Sequence, residues 1–306
     1  MTPTPTVFAA EPVDPDGPRL ARRVTLGARL IALWSAYLLA LRQQWHSRRW
    51  IIMGLLFLLP AGLAVLVRWT ESDLPRGLLE FLLADMFIPQ ALLPLTALVY
   101  ASGIIRDEQE EQTLTYLLVR PISKWALYVV KLLATLTTTV LLTVILTCLT
   151  FAAIYISADL AVDDVMSRCL ITAATHSLAM IAYCSLFGLI SLLTKRTLVV
   201  GVLYTVAVEG LLANLPFGIR LVAVIYYSRL IAYRTMNFVV SGPHGRPINV
   251  AAEAWQLDVH SDPKLLDHPQ LGTCVAVLLL GSVICTATAA WLCARREFHV
   301  KTPEKD

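Results

Sequence analysis

The sequence predicts an all-α polytopic membrane protein with six transmembrane helices. An N-terminal interfacial helix precedes them, and an outer re-entrant or interfacial helical segment lies before the last span. Three observations lead to this fold class. Of the 306 residues, 57% are hydrophobic and 15% are charged, against roughly 45–50% and 25% in soluble domains. Six apolar stretches reach the roughly 20 residues that cross a bilayer. Basic residues concentrate in alternate connections between these stretches.

The same composition excludes several classes of protein. A disordered chain or a disulfide scaffold would not have this apolar excess, and neither would most soluble enzymes. The net charge is only +3, which gives no electrostatic basis for nucleic-acid binding. The excess apolar surface must therefore face the lipid bilayer.

The chain begins with two segments that precede the first span. Residues 1–25 are expected to form a disordered cytosolic tail, because they are rich in proline and lack the charged start and apolar run of a secretory signal. Residues 26–49 place leucine and aromatic residues at helical spacing between arginines, which predicts an interfacial (elbow) helix. The alternative is a short seventh span over Leu30–Leu41, but at about 1.5 Å per residue it is too short to cross.

The membrane domain is expected to extend over residues 50–294. Its predicted spans are Trp50–Val67, Leu78–Ile105, Trp125–Ile156, Cys169–Leu193, Thr197–Leu215 and Leu271–Ala294. Between the last two, residues 216–270 form an outer segment. Its first part contains Arg220, Arg229 and Arg234 and therefore predicts a re-entrant or interfacial helix rather than a span. The later stretch 241–250 is rich in turn residues and predicts a loop.

The distribution of basic residues predicts the orientation. With the N-terminus inside, the inner segments hold seventeen of the 25 Lys and Arg residues. Both termini are then cytoplasmic, residues 295–306 form a second cytosolic tail, and the protein is integral to the cell (cytoplasmic) membrane.

Motifs for enzymatic chemistry are missing from the sequence. It contains no G-x-x-x-x-G-K-[ST] phosphate loop, no H-E-x-x-H and no G-x-S-x-G. The six cysteines form no C-x-x-C pair, and His176 is a lone intramembrane histidine. Asp85 and Glu209 could in principle form an intramembrane aspartyl dyad, but neither lies in a recognisable motif. We therefore expect neither catalytic residues nor a metal site.

The inner loop 106–124 is the most informative segment. Asp107 can cap a helix whose first turns carry Glu108, Glu110 and Glu111, where the helix dipole favours negative charge. Leu114, Leu117 and Leu118 share one apolar face of this helix. Arg120 and Pro121 end it, and Ser123 can cap the third span. The pattern predicts an amphipathic rod of about three turns at the membrane surface, with a face that needs a partner.

The run from Glu108 to Lys124 resembles the signature of type-2 ATP-binding-cassette (ABC) transporter permeases. In that family an acidic pair precedes G-T-L, then leucines, then P-I-S and a basic residue. The matching positions are Glu110, Glu111, Thr113, Leu114, Leu117, Leu118, Pro121, Ile122, Ser123 and Lys124, while Gln112 stands where the family commonly has glycine. The elbow helix, the six spans, the outer re-entrant helices and an acid near the outer end of the fifth span, here Glu209, also fit the family.

The resemblance implies how the work is divided between subunits. The loop would be a coupling helix that docks on a separate cytosolic ATPase, through residues Asp107 to Leu118 and the Pro121–Ser123 joint. ATP and Mg²⁺ would be bound by that ATPase, and this chain would bind no cofactor. The permease would pair with a second copy or a homologous permease in the lipid bilayer and move an unidentified substrate, with export as the expected direction.

Several polar positions in the spans are candidates for a conduit or gate. Thr135, Thr139, Thr143 and Thr147 recur every four residues on the third span; the alternative role for this threonine stripe is interhelical packing. Glu209 could gate the outer mouth or form a structural pair, with Arg220 or His176 as candidate partners. Lys131 is expected to extend towards the inner lipid phosphates.

Two other functions remain open from the sequence. A secondary transporter would need ion-coupling acids in the membrane and usually an internal repeat; Asp85 and Glu209 are the available acids, and no repeat is visible. A non-transporting membrane anchor could use the same loop to tether a cytosolic ATPase. A phosphate-loop protein encoded next to this chain would favour the ABC transporter.

Overall fold

A computed structural model describes residues 26–70, 74–110, 123–156, 162–215, 218–236, 238–241, 247–255 and 269–295. Six of its helices are long and apolar enough to cross a membrane. We number them in chain order as spans one to six: Arg48–Trp69, Arg76–Ile104, Lys124–Tyr155, Asp164–Leu193, Thr197–Asn214 and Leu271–Arg295. This confirms the predicted all-α polytopic fold.

Consecutive spans run in opposite directions, so the bundle has two ends. We call the end where span two leads into span three the loop face, and the opposite end the distal face. The connection between spans four and five also lies at the loop face. The long segment between spans five and six lies at the distal face.

The N-terminal helix runs from Leu26 to His46 and is separated from span one by a bend at Ser47. It packs on span three, where the Tyr37 hydroxyl lies 3.0 Å from the Thr137 hydroxyl and Gln44 donates to Thr135 over 2.8 Å. The two contacts are about 10 Å apart along the N-terminal helix but only about 3 Å apart along span three. The helix therefore crosses span three steeply, as an interfacial helix would.

Spans two, three and four form the centre of the bundle. The buried share is 61% in span two, 44% in span three and 56% in span four. It is only 28%, 22% and 17% in spans one, five and six. Leu98 from span two, Tyr128 from span three, and Tyr183 and Phe187 from span four meet in the largest apolar cluster. Spans one, five and six consequently turn broad apolar faces outward, as contact with lipid requires.

Two spans contain π-helical segments. Span two consists of Arg76–Glu80, a π-helix over Phe81–Leu92, and an α-helix over Leu93–Glu110. Span five changes from α-helix to π-helix over Thr205–Leu211 and ends in a 3₁₀ turn over Leu212–Asn214. In span two the cause is visible in the sequence, because Pro89 has no N–H and cannot complete the regular α-helical bonding.

The segment between spans five and six folds onto the bundle. A 3₁₀ turn over Gly218–Val222 leads into a helix over Val224–Thr235, which we call the inserted helix. Its eight consecutive residues from Ile225 to Ala232 are buried, and it packs against spans two, four and six. At about 18 Å it is too short to cross the membrane. A re-entrant or interfacial helix was predicted here, and this short, buried helix fits that class.

The stretch predicted as a loop contains regular structure instead. Strand β1 (Val239–Ser241) pairs antiparallel with strand β2 (Pro247–Asn249), with Val240 opposite Ile248. A one-turn helix over Val250–Ala254 follows, and Asn249 caps it by accepting from the Ala252 N–H over 3.2 Å. Gly242, Pro243 and Gly245, which indicated a loop, lie between the two strands and outside the described residues.

Helix boundaries differ from the prediction by more than two residues at two places. The helix of span four begins at Val162 rather than Cys169, because the charged residues in its first two turns interrupt the apolar pattern without interrupting the helix. The helix of span two continues without a break to Glu110. Asp107 therefore lies inside a helix, and the prediction that it caps a new one is wrong. Ser123 does occupy the N-cap position of span three, but its side chain makes no capping bond.

Candidate functional site

Glu209 occupies a buried site at the distal end of span five, where four groups donate hydrogen bonds to its carboxylate. The hydroxyls of Tyr183 and Tyr204 lie 2.9 and 3.0 Å from its two oxygens. The backbone N–H groups of Val224 and Ile225 lie 3.0 and 2.9 Å away. Glu209 is 1% exposed, so these donors take the place of water around the charge.

The position of Glu209 relative to the inserted helix explains how the charge is held. Val224 and Ile225 are the first two residues of that helix, whose N–H groups lack intrahelical partners. The positive end of the helix dipole also favours a carboxylate at this point. The predicted partners, Arg220 and His176, are both wrong: Arg220 lies over the ring of Tyr226, 5.1 Å from its centre, and His176 contacts Thr147.

Arg229 forms a second buried polar site on the inserted helix, one that sequence reasoning did not single out. Its guanidinium donates to the Asn214 side-chain oxygen over 2.8 Å and to the Gln90 side-chain oxygen over 3.2 Å. Burial lowers the pKa of Arg229, which lies outside the spans, while the Glu209 carboxylate opposes that shift. Through these bonds the inserted helix is tied to both π-helix-containing spans.

The threonine stripe on span three faces the interior of the bundle. Thr135, Thr139, Thr143 and Thr147 are all fully buried. Thr135 accepts from Gln44, Thr139 lies 3.7 Å from the Cys184 sulfur, and Thr147 lies 3.2 Å from Nδ1 of His176. The contacts join span three to the N-terminal helix and to span four. They favour packing as the role of the stripe within one chain.

A third polar cluster joins the distal ends of spans two, three and four. Arg168 pairs with Glu80, its Nη2 lying 2.8 Å and its Nε 2.9 Å from Oε1. The Tyr155 hydroxyl donates to the other Glu80 oxygen. Asp85 lies buried near this pair, and its Oδ2 has no hydrogen-bond partner among the described residues. Arg168, in the first turns of the span-four helix, thus pairs with an acid of span two.

At the loop face the structure describes only part of the predicted coupling segment. The backbone of Asp107, Glu108 and Glu110 continues the helix of span two, while Glu111, Gln112, Thr113, Leu114, Leu117, Leu118 and Pro121 lie outside the described residues. Lys131 does not extend to lipid as predicted. It donates to the Ile104 carbonyl over 3.1 Å and so links the first turns of span three to span two.

The partners of Glu209 and Arg229 had little sequence signal. Tyr204 is five residues before Glu209, a spacing that puts the two side chains together in a π-helix rather than an α-helix. Gln90 and Asn214 likewise lie in or beside irregular helical turns. The available signal is the placement of three arginines in an apolar background. An arginine that is buried in such a segment needs hydrogen-bond partners.

These features define the class of the protein. It is an integral membrane protein built from a helical bundle, in which buried polar groups connect spans to one another and to an inserted helix.

Comparison with protein families identifies the group within that class. The profile of the ABC-2 family transporter protein matches residues 44–209. This match covers more than half of the chain, including spans one to four and span five as far as Glu209. The chain belongs to this family and is a membrane permease of an ABC transporter. Membership implies an ATPase partner. Comparison with curated proteins found no match.

Proposed function

We propose that this permease exports a substrate across the cell membrane, driven by ATP hydrolysis in a separate cytosolic ATPase that docks on residues 106–124. A second permease subunit, identical or homologous, completes the pathway, and both termini are cytoplasmic. The observation that carries the proposal is the uninterrupted helix of span two, which carries the acidic run beyond the apolar span as far as Glu110.

The continuity of this helix supports a stiff connection between the ATPase and the bundle. A docking segment joined by a flexible linker could move without moving span two. A helix that continues from Leu93 to Glu110 transmits displacement along its axis and bending into the bundle. Coupling in this form does not need the cap predicted at Asp107.

Lys131 supports transmission to span three as well. Its ammonium is bonded to the Ile104 carbonyl, at the point where the helix continues from the apolar span towards the acidic run. A movement of the loop that displaces span two would therefore also displace span three. We propose that the two spans respond to the ATPase as one unit.

Glu209 and the threonine stripe take different parts in this proposal. Glu209 holds the inserted helix on spans four and five. We propose that it controls closure of the distal face without contacting the substrate. The threonine stripe is proposed to pack span three against span four. Family membership favours this scheme over a secondary transporter, and measuring ATP turnover with and without a transported solute separates it from a non-transporting anchor.

The proposal is tested by the double variant Leu114→Ala/Leu117→Ala. Loss of a packed leucine costs about 2–5 kcal/mol, so we expect the permease to fold but to lose co-purification with the ATPase and transport. The matched control is Leu193→Ala/Leu198→Ala, which removes two exposed leucines at the other loop-face connection. Normal docking and transport by the Leu114/Leu117 variant would show that this loop does not couple the subunits.

A further inference from the structure

We infer that the loop face carries a binding site for one anionic phospholipid with a hydroxyl-bearing headgroup, such as phosphatidylglycerol. The site lies between the N-terminal helix and spans one to three. It combines a polar cavity and an apolar groove that share one residue, Tyr100. The function proposed above does not require it.

The polar cavity has the chemistry of an anion site. It has a volume of about 440 Å³, and Arg49, Lys131 and His46 are among its lining residues. None of the lining side chains within the described ranges is acidic. Span one begins here and the N-terminal helix ends here at His46, so two opposite helix-dipole ends meet and the field comes from the basic side chains. Arg49 and Lys131 have protein contacts of their own, so the inference rests on their charge.

Two buried polar atoms at the cavity have no partner in the described part of the chain. One is the hydroxyl of Tyr100, a residue only 3% exposed, and the other is the side-chain oxygen of Gln44. A buried polar atom without a hydrogen bond is costly and indicates a missing partner. Tyr100 can donate to a phosphate oxygen, while the Gln44 oxygen needs a donor such as a headgroup hydroxyl.

The apolar groove accommodates the acyl-chain part of the ligand. Its volume is about 480 Å³, and it runs between spans one and three past Trp50, Gly54, Leu58 and Ile145. A soluble phosphate compound would leave this surface empty. A phospholipid fills both parts, with its phosphate beside Arg49 and an acyl chain along the groove, and it is always available in the bilayer.

The charge contribution is tested by native mass spectrometry of the full-length permease, incubated with phosphatidylglycerol and phosphatidylcholine of the same acyl chains. We expect the wild type to retain phosphatidylglycerol preferentially. Arg49→Gln should reduce that preference about fivefold, the effect of one basic group near an anionic lipid. Arg68→Gln, at the other end of span one, is the matched control. Equal retention of the two lipids by the wild type would overturn the inference, as would equal losses in the two variants.

Tyr100→Phe keeps the test decisive if Arg49→Gln does not fold. It removes only a hydroxyl that has no hydrogen-bond partner among the described residues, so the permease should keep its thermal stability and lose phosphatidylglycerol. Unchanged retention in this variant would contradict the site.

The groove is tested by Gly54→Leu, with Gly62→Leu as its control on the same helix. A side chain at either glycine meets open space, but only Gly54 lines the groove. Gly54→Leu should lower lipid retention and Gly62→Leu should not. If inorganic phosphate competes with the lipid and Gly54→Leu has no effect, the cavity binds a soluble anion and the lipid assignment is wrong.

Discussion

At the residue scale, the buried carboxylate of Glu209 is held by hydrogen bonds, without an ion pair in the described part of the chain. Two phenol hydroxyls and two amide N–H groups surround it. Each of these donors belongs to a helix that other contacts already hold in the bundle. Forming the four hydrogen bonds therefore costs little conformational entropy, and the bonds offset the desolvation cost of the buried carboxylate. The carboxylate therefore joins spans four and five to the inserted helix.

The role of Glu209 predicts the effect of Glu209→Gln. The amide keeps one acceptor but turns an N–H₂ group towards donors, so we expect a loss of stability of about 3 kcal/mol. Thermal unfolding in detergent should show a clearly lower midpoint, whereas Glu253→Gln, at an exposed acid near the distal face, should not. A wild-type midpoint with reduced transport would instead assign Glu209 to gating, and wild-type values of both would leave it without a role.

Glu209 also shows how far sequence reasoning extends at this scale. An acid in an apolar span stands out, because such a charge must be satisfied. Its partners do not stand out. Tyr183 is 26 positions away, and the two amide groups carry no side-chain signature. A search by charge indicates Arg220 and His176, while the structure satisfies the carboxylate with neutral donors.

At the element scale, span five depends on close approach to span two. A Cβ at Gly201 would lie 2.1 Å from Cδ1 of Leu98 and 3.1 Å from its Cγ. Leu98 is 1% exposed, so it has little room to move. The glycine allows the backbone of the lightly buried span five to contact the centre of the bundle.

This contact predicts that Gly201→Ala destabilises the permease by about 1–3 kcal/mol through overpacking. The control is Gly62→Ala, where the added Cβ meets open space and the better helix propensity of alanine should be neutral or stabilising. Adding Leu98→Ala should offset part of the Gly201→Ala cost. Thermal unfolding of Gly201→Ala, Leu98→Ala and the double variant measures this coupling, with Gly62→Ala as the control. Strictly additive losses would contradict the close contact.

The elements themselves were largely predictable, because the apolar pattern of each span is long and nearly free of charge. Errors arise where local rules compete. The acids from Asp107 to Glu110 indicate a helix start by dipole and capping rules, yet the helix of span two continues through Gly103 and reaches them. The π-helix of span five leaves the apolar pattern unchanged, so its sequence carries no sign of it.

At the scale of the whole molecule, the orientation in the membrane can be measured directly. In a cysteine-free background, single cysteines at Gln112 and near either terminus should be protected from an impermeant external maleimide. A cysteine within residues 241–270 should react, and disrupting the membrane should make every site reactive. The physical basis is the excess of Lys and Arg on the loop-face side of the spans. External labelling at Gln112 would reverse the orientation and contradict docking of a cytosolic ATPase there.

The lengths of spans three and four have a mechanical consequence. Each belongs to a helix of 32 residues, about 48 Å long, while the hydrocarbon core is about 30 Å thick. Contacts from Thr139 and Thr147 to span four bind the two helices side by side. The pair then acts as a lever with its fulcrum in the bilayer. A tilt of about 10° would move its two ends by about 4 Å in opposite directions. A push at the loop-face end would then become a pull at the distal end.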